Sequence, residues 1–291
     1  MKLYFMPVWG DSAQTIYDTM CQQTPGSSGI WGTLEATPHI EEADVYLVQD
    51  YTDQEIPDLS KVCYFAREVP GAGRVDDIPG VEKFSWINNT SYLYTKWVYP
   101  QDSIGGVKLT YDFLAFDERP KKEKHLICIQ SDKRFLEGHR KRINFLKSFV
   151  DQYPHDIDLS GKARSLLQFK GGGEDYVAQK YSTLKEYKYC MAFDNGQYNN
   201  YFGTQFTDAI LSWTVPIYWG SPNIAEFFPE GSYISFDASN PDEVHRIVST
   251  LKRDDYEKRI PALKEARQLI LNKYNIWPTV YEALTKGQVT W

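Results

Sequence analysis

Residues 187–222 constrain this chain more than any other stretch. Tyr187-Lys-Tyr-Cys-Met-Ala-Phe193 reads as a strand that ends at a polar pair, Asp194-Asn195. A loop with Tyr201 and a helix-like run follow, and a second strand, Thr214-Val-Pro-Ile-Tyr-Trp219, stops at the turn Gly220-Ser-Pro222. In an open α/β sheet, ligands bind in the crevice beyond the carboxyl ends of the strands. Two such ends rich in polar and aromatic groups, Asp194, Asn195, Tyr201 and Tyr218 among them, mark an expected binding site.

The same alternation runs through the chain. Strands are expected at Lys2–Val8, Ala43–Asp50, Lys61–Glu68 and Glu82–Asn88, with a helix over Ser12–Gln22. A second series has strands at His125–Gln130, Asp156–Leu159, Tyr187–Phe193, Thr214–Trp219 and Ser232–Phe236. Helices fit Gly138–Gln152, Glu174–Lys185, Gly203–Trp213, Pro241–Lys252 and Tyr256–Tyr274. This βαβ spacing predicts parallel sheets. At 291 residues the chain exceeds what one hydrophobic core usually covers. The expected fold class is therefore α/β, with two Rossmann-like domains facing a cleft. The first spans 1–120 and the second 121–291, and the linker lies in the Pro-, Gly- and Lys-rich residues 100–124. The segment Tyr274–Lys286 has the option of crossing back onto the first domain.

Charge is uneven. Residues 1–120 carry 8 Lys and Arg against 18 Asp and Glu, and residues 121–291 carry 24 against 21. The first half repels polyanions, and neither half is basic enough to indicate nucleic-acid binding from charge alone. Cys21, Cys63, Cys128 and Cys190 form no CxxC pair and read as free thiols in a reducing compartment. With no signal-like segment and no run of 18 apolar residues, a cytoplasmic protein without a membrane span is expected.

Familiar catalytic motifs are scarce in the chain. There is no G-x-S-x-G, Walker loop or H-E-x-x-H. Asp156-Ile-Asp158 has the spacing of a D-x-D metal motif but lies on an apparent strand, and no metal is assigned. Gly171-Gly172-Gly173 precedes a helix expected near Glu174, an arrangement that can cradle phosphate on backbone N–H groups. Arg140-Lys-Arg142 opens a helix beyond a strand end, where forked guanidinium bonds suit a diphosphate; a solvated helix face fits the same residues.

Several of these segments carry a family resemblance. Tyr187–Asn195 resembles the Y-K-F-x-L-x-F-E-N signature of the α-1,3-fucosyltransferase family, glycosyltransferase family ten, and Tyr201 matches a tyrosine shortly after it. Thr214–Pro222 is similar to the family's V-P-x-x-x-G-x-P turn, and Phe228-Pro-Glu-Gly-Ser-Tyr-Ile234 to its F-x-P-x-S-F-I. Ser131-Asp132 with Arg140-x-Arg142 resembles its S-N and R-x-R, and Phe65-Ala-Arg-Glu68 its F-x-x-E.

The resemblance implies a GT-B fold, with the acceptor on the first domain and a nucleotide sugar on the second. It also implies inverting chemistry without a metal or other cofactor. Glu68 would be the general base, Arg140 or Arg142 would hold the diphosphate, and Asn195 and Tyr201 would contact the donor. The partners expected are a nucleotide-sugar donor, a GDP-sugar by preference, and a glycan or other hydroxyl-bearing acceptor.

One departure stands out. Where the family has T-E-K, this chain has Gly203-Thr204-Gln205, so hydrogen-bonding groups replace an acid and a base. That keeps two alternatives open. One is the same chemistry with a non-fucose donor and an unusual acceptor, such as a modified nucleobase in phage-type DNA. The other is a non-catalytic sugar- or nucleotide-binding descendant.

Overall fold

A computed structural model describes residues 1–8, 10–69, 71, 73–74, 76–81, 83–85, 109–175, 180–251 and 255–286. The chain divides into two units, one of Met1–Asp117 with the residues from Leu271 onward, the other Glu118–Ile270.

The first unit runs β1 (Lys2–Phe5), α1 (Ala13–Gln22), β2 (Ile30–Trp31), β3 (Leu34–Ala36), β4 (Val45–Gln49), β5 (Val62–Ala66), β6 (Lys83–Ser85) and α2 (Tyr111–Phe116). Its sheet has the order β2-β3-β1-β4-β5-β6. Every pairing is parallel except the β2–β3 hairpin. The start of α1 is set by Ser12, whose hydroxyl accepts from the Thr15 N–H at 3.1 Å. The expected strand over 82–88 is seen as β6; residues 82 and 86–88 lie outside the described residues.

The second unit runs β7 (Lys124–Ile129), α3 (Glu137–Gln152), β8 (Asp158–Ser160), α4 (Lys162–Leu166), α5 (Lys180–Leu184), β9 (Tyr187–Phe193), α6 (Thr204–Leu211), β10 (Val215–Trp219), β11 (Ile234–Ser235), α7 (Pro241–Thr250) and α8 (Asp255–Asn272). Its sheet, β11-β10-β9-β7-β8, is parallel throughout. All carboxyl ends therefore share one edge. Strand β9 is buried along nearly its whole length, as a central parallel strand must be.

A last helix, α9 (Ile276–Lys286), belongs to the first unit. Trp277 is fully buried in the core with Phe5, Met20 and Leu47. Its ring meets Phe5 edge-on at 5.3 Å, and its indole N–H donates to the Met20 carbonyl at 2.9 Å.

Three features differ from the sequence reading. Of the expected linker, residues 100–108 lie outside the described residues, and 109–124 carry structure of their own: Thr110 caps α2, and Lys122 is buried. The Lys122 ammonium donates to Leu184 O, Ser212 O and Thr214 Oγ1, three acceptors for its three N–H groups. The β2–β3 hairpin was not foreseen, because strands of two and three residues are too short to show an alternating pattern. Finally, Glu174 begins no helix; α5 starts at Lys180, and residues 176–179 lie outside the described residues.

The four cysteines are buried free thiols. Among the described residues no helix is long and apolar enough to cross a membrane.

Candidate functional site

In the second unit, β7 and β9 are neighbours from which the chain departs in opposite directions, to β8 on one side and β10 on the other. This is the switch point at which doubly wound sheets bind ligands. The residues that follow β7 and β9 meet there through the first turn of α3. Gly138 sits so close to the loop after β9 that a Cβ would overlap the Asn195 carbonyl oxygen. The next residue, His139, is 2% exposed, and its Nε2 bonds Asn195 Oδ1 at 2.9 Å.

One turn further along the same helix face lies Arg142, 4% exposed. Its guanidinium donates one bond, to Ser131 Oγ at 2.8 Å, and its Nε has no partner among the described residues. No carboxylate pairs with it there, and burial pulls the guanidinium down to about 10. A buried charge without a counter-charge costs several kcal/mol, on the order of 3–5 when a pair is broken. Such a group is poised for an anion.

A second cluster lies at the ends of β9 and β10. Asp194 is buried, and its Oδ1 accepts from the Gly203 N–H at 2.9 Å, while its Oδ2 accepts from the Tyr218 hydroxyl. Tyr218 in turn accepts from the Ser221 N–H at 2.8 Å. Asn200 and Asn223 tie the same two loops: Asn200 N–H donates to Asn223 Oδ1 and Asn223 Nδ2 to Asn200 Oδ1, both at 2.8 Å. Gly203 precedes α6 without a capping side chain, so the N–H groups of Thr204 and Gln205 open the helix as orphan donors. Both side chains are half-buried, and Gln205 Oε1 has no partner among the described residues.

Burial pushes the Asp194 carboxyl up to about 7, against the bonds from Tyr218 and Gly203. An unfolded Asp titrates near ~3.9, so the unfolded chain gives up this proton first. The contribution of this group is present below about pH 4 and is lost as pH rises through about 7, at up to ~1.4 kcal/mol per pH unit. Asp194→Asn is expected to flatten that fall between about pH 4 and 7, as read from urea unfolding curves of both proteins. Asp208, which burial raises to about 6, is common to the two proteins. Their difference therefore isolates Asp194, and identical curves would remove the effect.

The sequence-derived candidates are thus distributed unevenly. Arg142 and Asn195 come together through His139. Asp194 and the buried Tyr201 lie against Gly203, where a Cβ would be 2.7 Å from Asp194 Oδ1 and 3.6 Å from the Tyr201 hydroxyl, and Tyr218 joins them through its bond to Asp194. Asp194 and Tyr218 bond each other and the two loops, and so tie the strand ends together. Arg140 is exposed and holds the loop before α3, donating to the carbonyls of Arg134 and Phe135 at 3.3 and 2.9 Å.

Gly172 lies against β8. Its carbonyl accepts from the Leu159 N–H at 3.0 Å and its Cα packs over Asp158, so the glycine run lies along β8 because no Cβ fits there. Asp158 accepts from the Tyr187 hydroxyl, and Asp156 bonds His245, both at 2.6 Å. Sequence reasoning missed Ser131 as the partner of Arg142, and also Gly138 and His139. A glycine in a helix's first turn was the available signal, since it costs ~1 kcal/mol relative to Ala unless close packing requires it.

In the first unit, Glu68 is exposed just beyond the carboxyl end of β5. The turn that carries it is held by Asp50. That carboxylate accepts from the backbone N–H groups of Arg67 and Glu68 at 2.5 and 3.2 Å and from the Arg67 guanidinium at 2.7 Å. Arg67 faces inward to this pair, and Arg74 pairs with Asp53 and Asp76.

Residues 119–259 match the family model described as glycosyltransferase family 10 (fucosyltransferase) C-term. The matched segment holds β7 to β11 and both strand-end clusters. Among curated relatives, the chain is 40% identical over 68 residues to the Helicobacter pylori alpha-(1,3)-fucosyltransferase FucT, covering 23% of this chain and 14% of that protein. It is 30% identical over 169 residues to the Mus musculus GDP-fucose protein O-fucosyltransferase 3, covering 56% and 34%. The matched segments thus span well under half of those relatives' lengths. A solved alpha1,3-fucosyltransferase with GDP aligns with a TM-score of 0.49 at 17% identity, over 95% of this chain and 92% of that one.

Proposed function

We propose that this protein is an inverting, metal-independent glycosyltransferase that moves a sugar, fucose or a relative of it, from a nucleotide-sugar donor to an acceptor hydroxyl. The observation that carries the reading is Arg142, a buried guanidinium with no carboxylate partner among the described residues, at the switch point of the segment that matches the family 10 model. A diphosphate supplies the missing negative charge. The orphan N–H groups at the start of α6 supply further donors of the kind that bind phosphate at helix N-termini.

Gln205 leaves α6 without the family's cation. Lys180 does not replace it, because its ammonium is paired with the buried Asp208 at 2.5 Å. Arg142 is then the buried charge that meets the diphosphate. The curated relatives named for GDP-fucose favour a GDP-sugar as donor.

In this reaction Glu68 takes the proton of the acceptor hydroxyl as its oxygen attacks the anomeric carbon. The bond from that carbon to the diphosphate oxygen breaks on the opposite face, and the electron pair leaves with the diphosphate. Arg142 and the Asn195 amide stabilise the charge that develops there. The first unit contributes the base and the acceptor side, and the second contributes the donor side.

Thermal unfolding in the presence of GDP, UDP or CDP tests the reading. One of the three is expected to raise the midpoint, since a ligand at about 100 times its Kd adds ~2.7 kcal/mol to the native state. No shift with any of them would overturn it.

A further inference from the structure

His139 lies between two groups of the proposed donor site, and its ring is fixed in one chemical form. The Leu136 N–H donates to Nδ1 at 3.4 Å, so Nδ1 keeps its lone pair and the ring hydrogen sits on Nε2. That hydrogen is donated to Asn195 Oδ1. Burial, and then the charge of Arg142, hold the imidazole below its ordinary range and therefore neutral. The Phe135 ring meets it edge-on at 4.5 Å and closes one side.

A carboxamide has an acceptor end and a donor end, and its last torsion is broad and nearly two-fold, so an unheld Asn presents either. Here the acceptor end is engaged. The other end, Nδ2, makes no bond among the described residues, and Gly138 against the Asn195 backbone keeps the loop at a fixed distance from the ring.

We propose that His139 is a positioning residue that fixes the polarity of Asn195, so that the amide presents its N–H donors, and never its carbonyl, to a ligand oxygen beside Arg142. The ligand atom at this point is then an acceptor, an oxygen of the diphosphate or of the donor sugar. The inference rests on the donor-site reading above. It adds a residue that is outside the motifs quoted for the family, in the Glu137-Gly-His139 turn.

The test is calorimetric titration with whichever of GDP, UDP and CDP stabilises the wild type. His139→Phe keeps the ring and loses the N–H, and is expected to weaken binding about tenfold, the size of one charge-assisted hydrogen bond. His139→Gln restores an N–H at the same reach and is expected to return affinity to within about threefold of wild type, a rescue that mere core filling does not predict. Wild-type affinity in the Phe variant, or no gain from Gln over Phe, would overturn the proposal.

If the Phe variant fails to fold, Asn195→Asp against Asn195→Ala decides. Asp turns a carboxylate toward the ligand oxygens in place of N–H donors and is expected to bind about tenfold more weakly than Ala. Equal or tighter binding by Asp would overturn the polarity. A wild type that binds no nucleoside diphosphate at all is a separate result and removes the donor-site reading itself.

Discussion

Glu68→Gln is expected to slow sugar transfer ~10²–10⁴-fold while leaving nucleotide binding as in the wild type. The substitution keeps the size and polarity of the side chain and removes only its capacity to take a proton. Because Glu68 lies on the first unit and the proposed donor cluster on the second, the two functions separate in experiment. Transfer is followed by product formation from the nucleotide sugar, and binding by the shift in unfolding temperature. Unchanged transfer would remove Glu68 as the base, and loss of nucleotide binding would place it among the donor contacts instead.

The second large effect concerns the residue that holds this turn. Asp50→Ala leaves the Arg67 guanidinium, 7% exposed, without its carboxylate, and releases two backbone N–H groups from the turn. Breaking a buried pair by removing one partner costs about 3–5 kcal/mol. The neighbouring pair Arg74–Asp53 is of similar length but 49% and 67% exposed, and exposed pairs contribute about 0–1 kcal/mol. Urea unfolding of Asp50→Ala and Asp53→Ala should therefore differ by several kcal/mol, although each loses one carboxylate opposite an arginine. Equal losses would show that burial does not set the weight of the Asp50 pair. Where Asp50→Ala still folds, its transfer rate should fall as well, because the Glu68 turn is no longer tied to β4.

The fold was legible where runs were long and of one kind. Tyr187–Phe193 begins and ends as read, because a buried parallel strand is an unbroken apolar run and the polar pair after it marks its end. The α3 helix was legible because Ile143, Leu146, Phe149 and Val150 recur at helical spacing and are buried. Short elements escaped this reading, as β2, β3, α2 and α4 show, since a few residues carry no period.

The site was legible as residue types but not as roles. Asp194 and Tyr218 have the chemistry of ligand contacts, yet each is occupied by the other, a pairing set by the register of β9 against β10. Gly172 has the chemistry of a phosphate loop, yet it is small because Asp158 lies beneath it. His139 was invisible for the opposite reason. A lone histidine in a basic helix carries no pattern, and its role depends on a loop 56 residues away.

The return of α9 to the first unit has a consequence for how the chain comes off the ribosome. Residues 118–270 are contiguous and can close their core as soon as they are complete, whereas the core around Phe5, Met20 and Leu47 stays open until Trp277 has been made. Domains usually mature in the order of their synthesis. Here the unit translated first is the last to be sealed, and its unfinished apolar face must wait through the synthesis of an entire second unit.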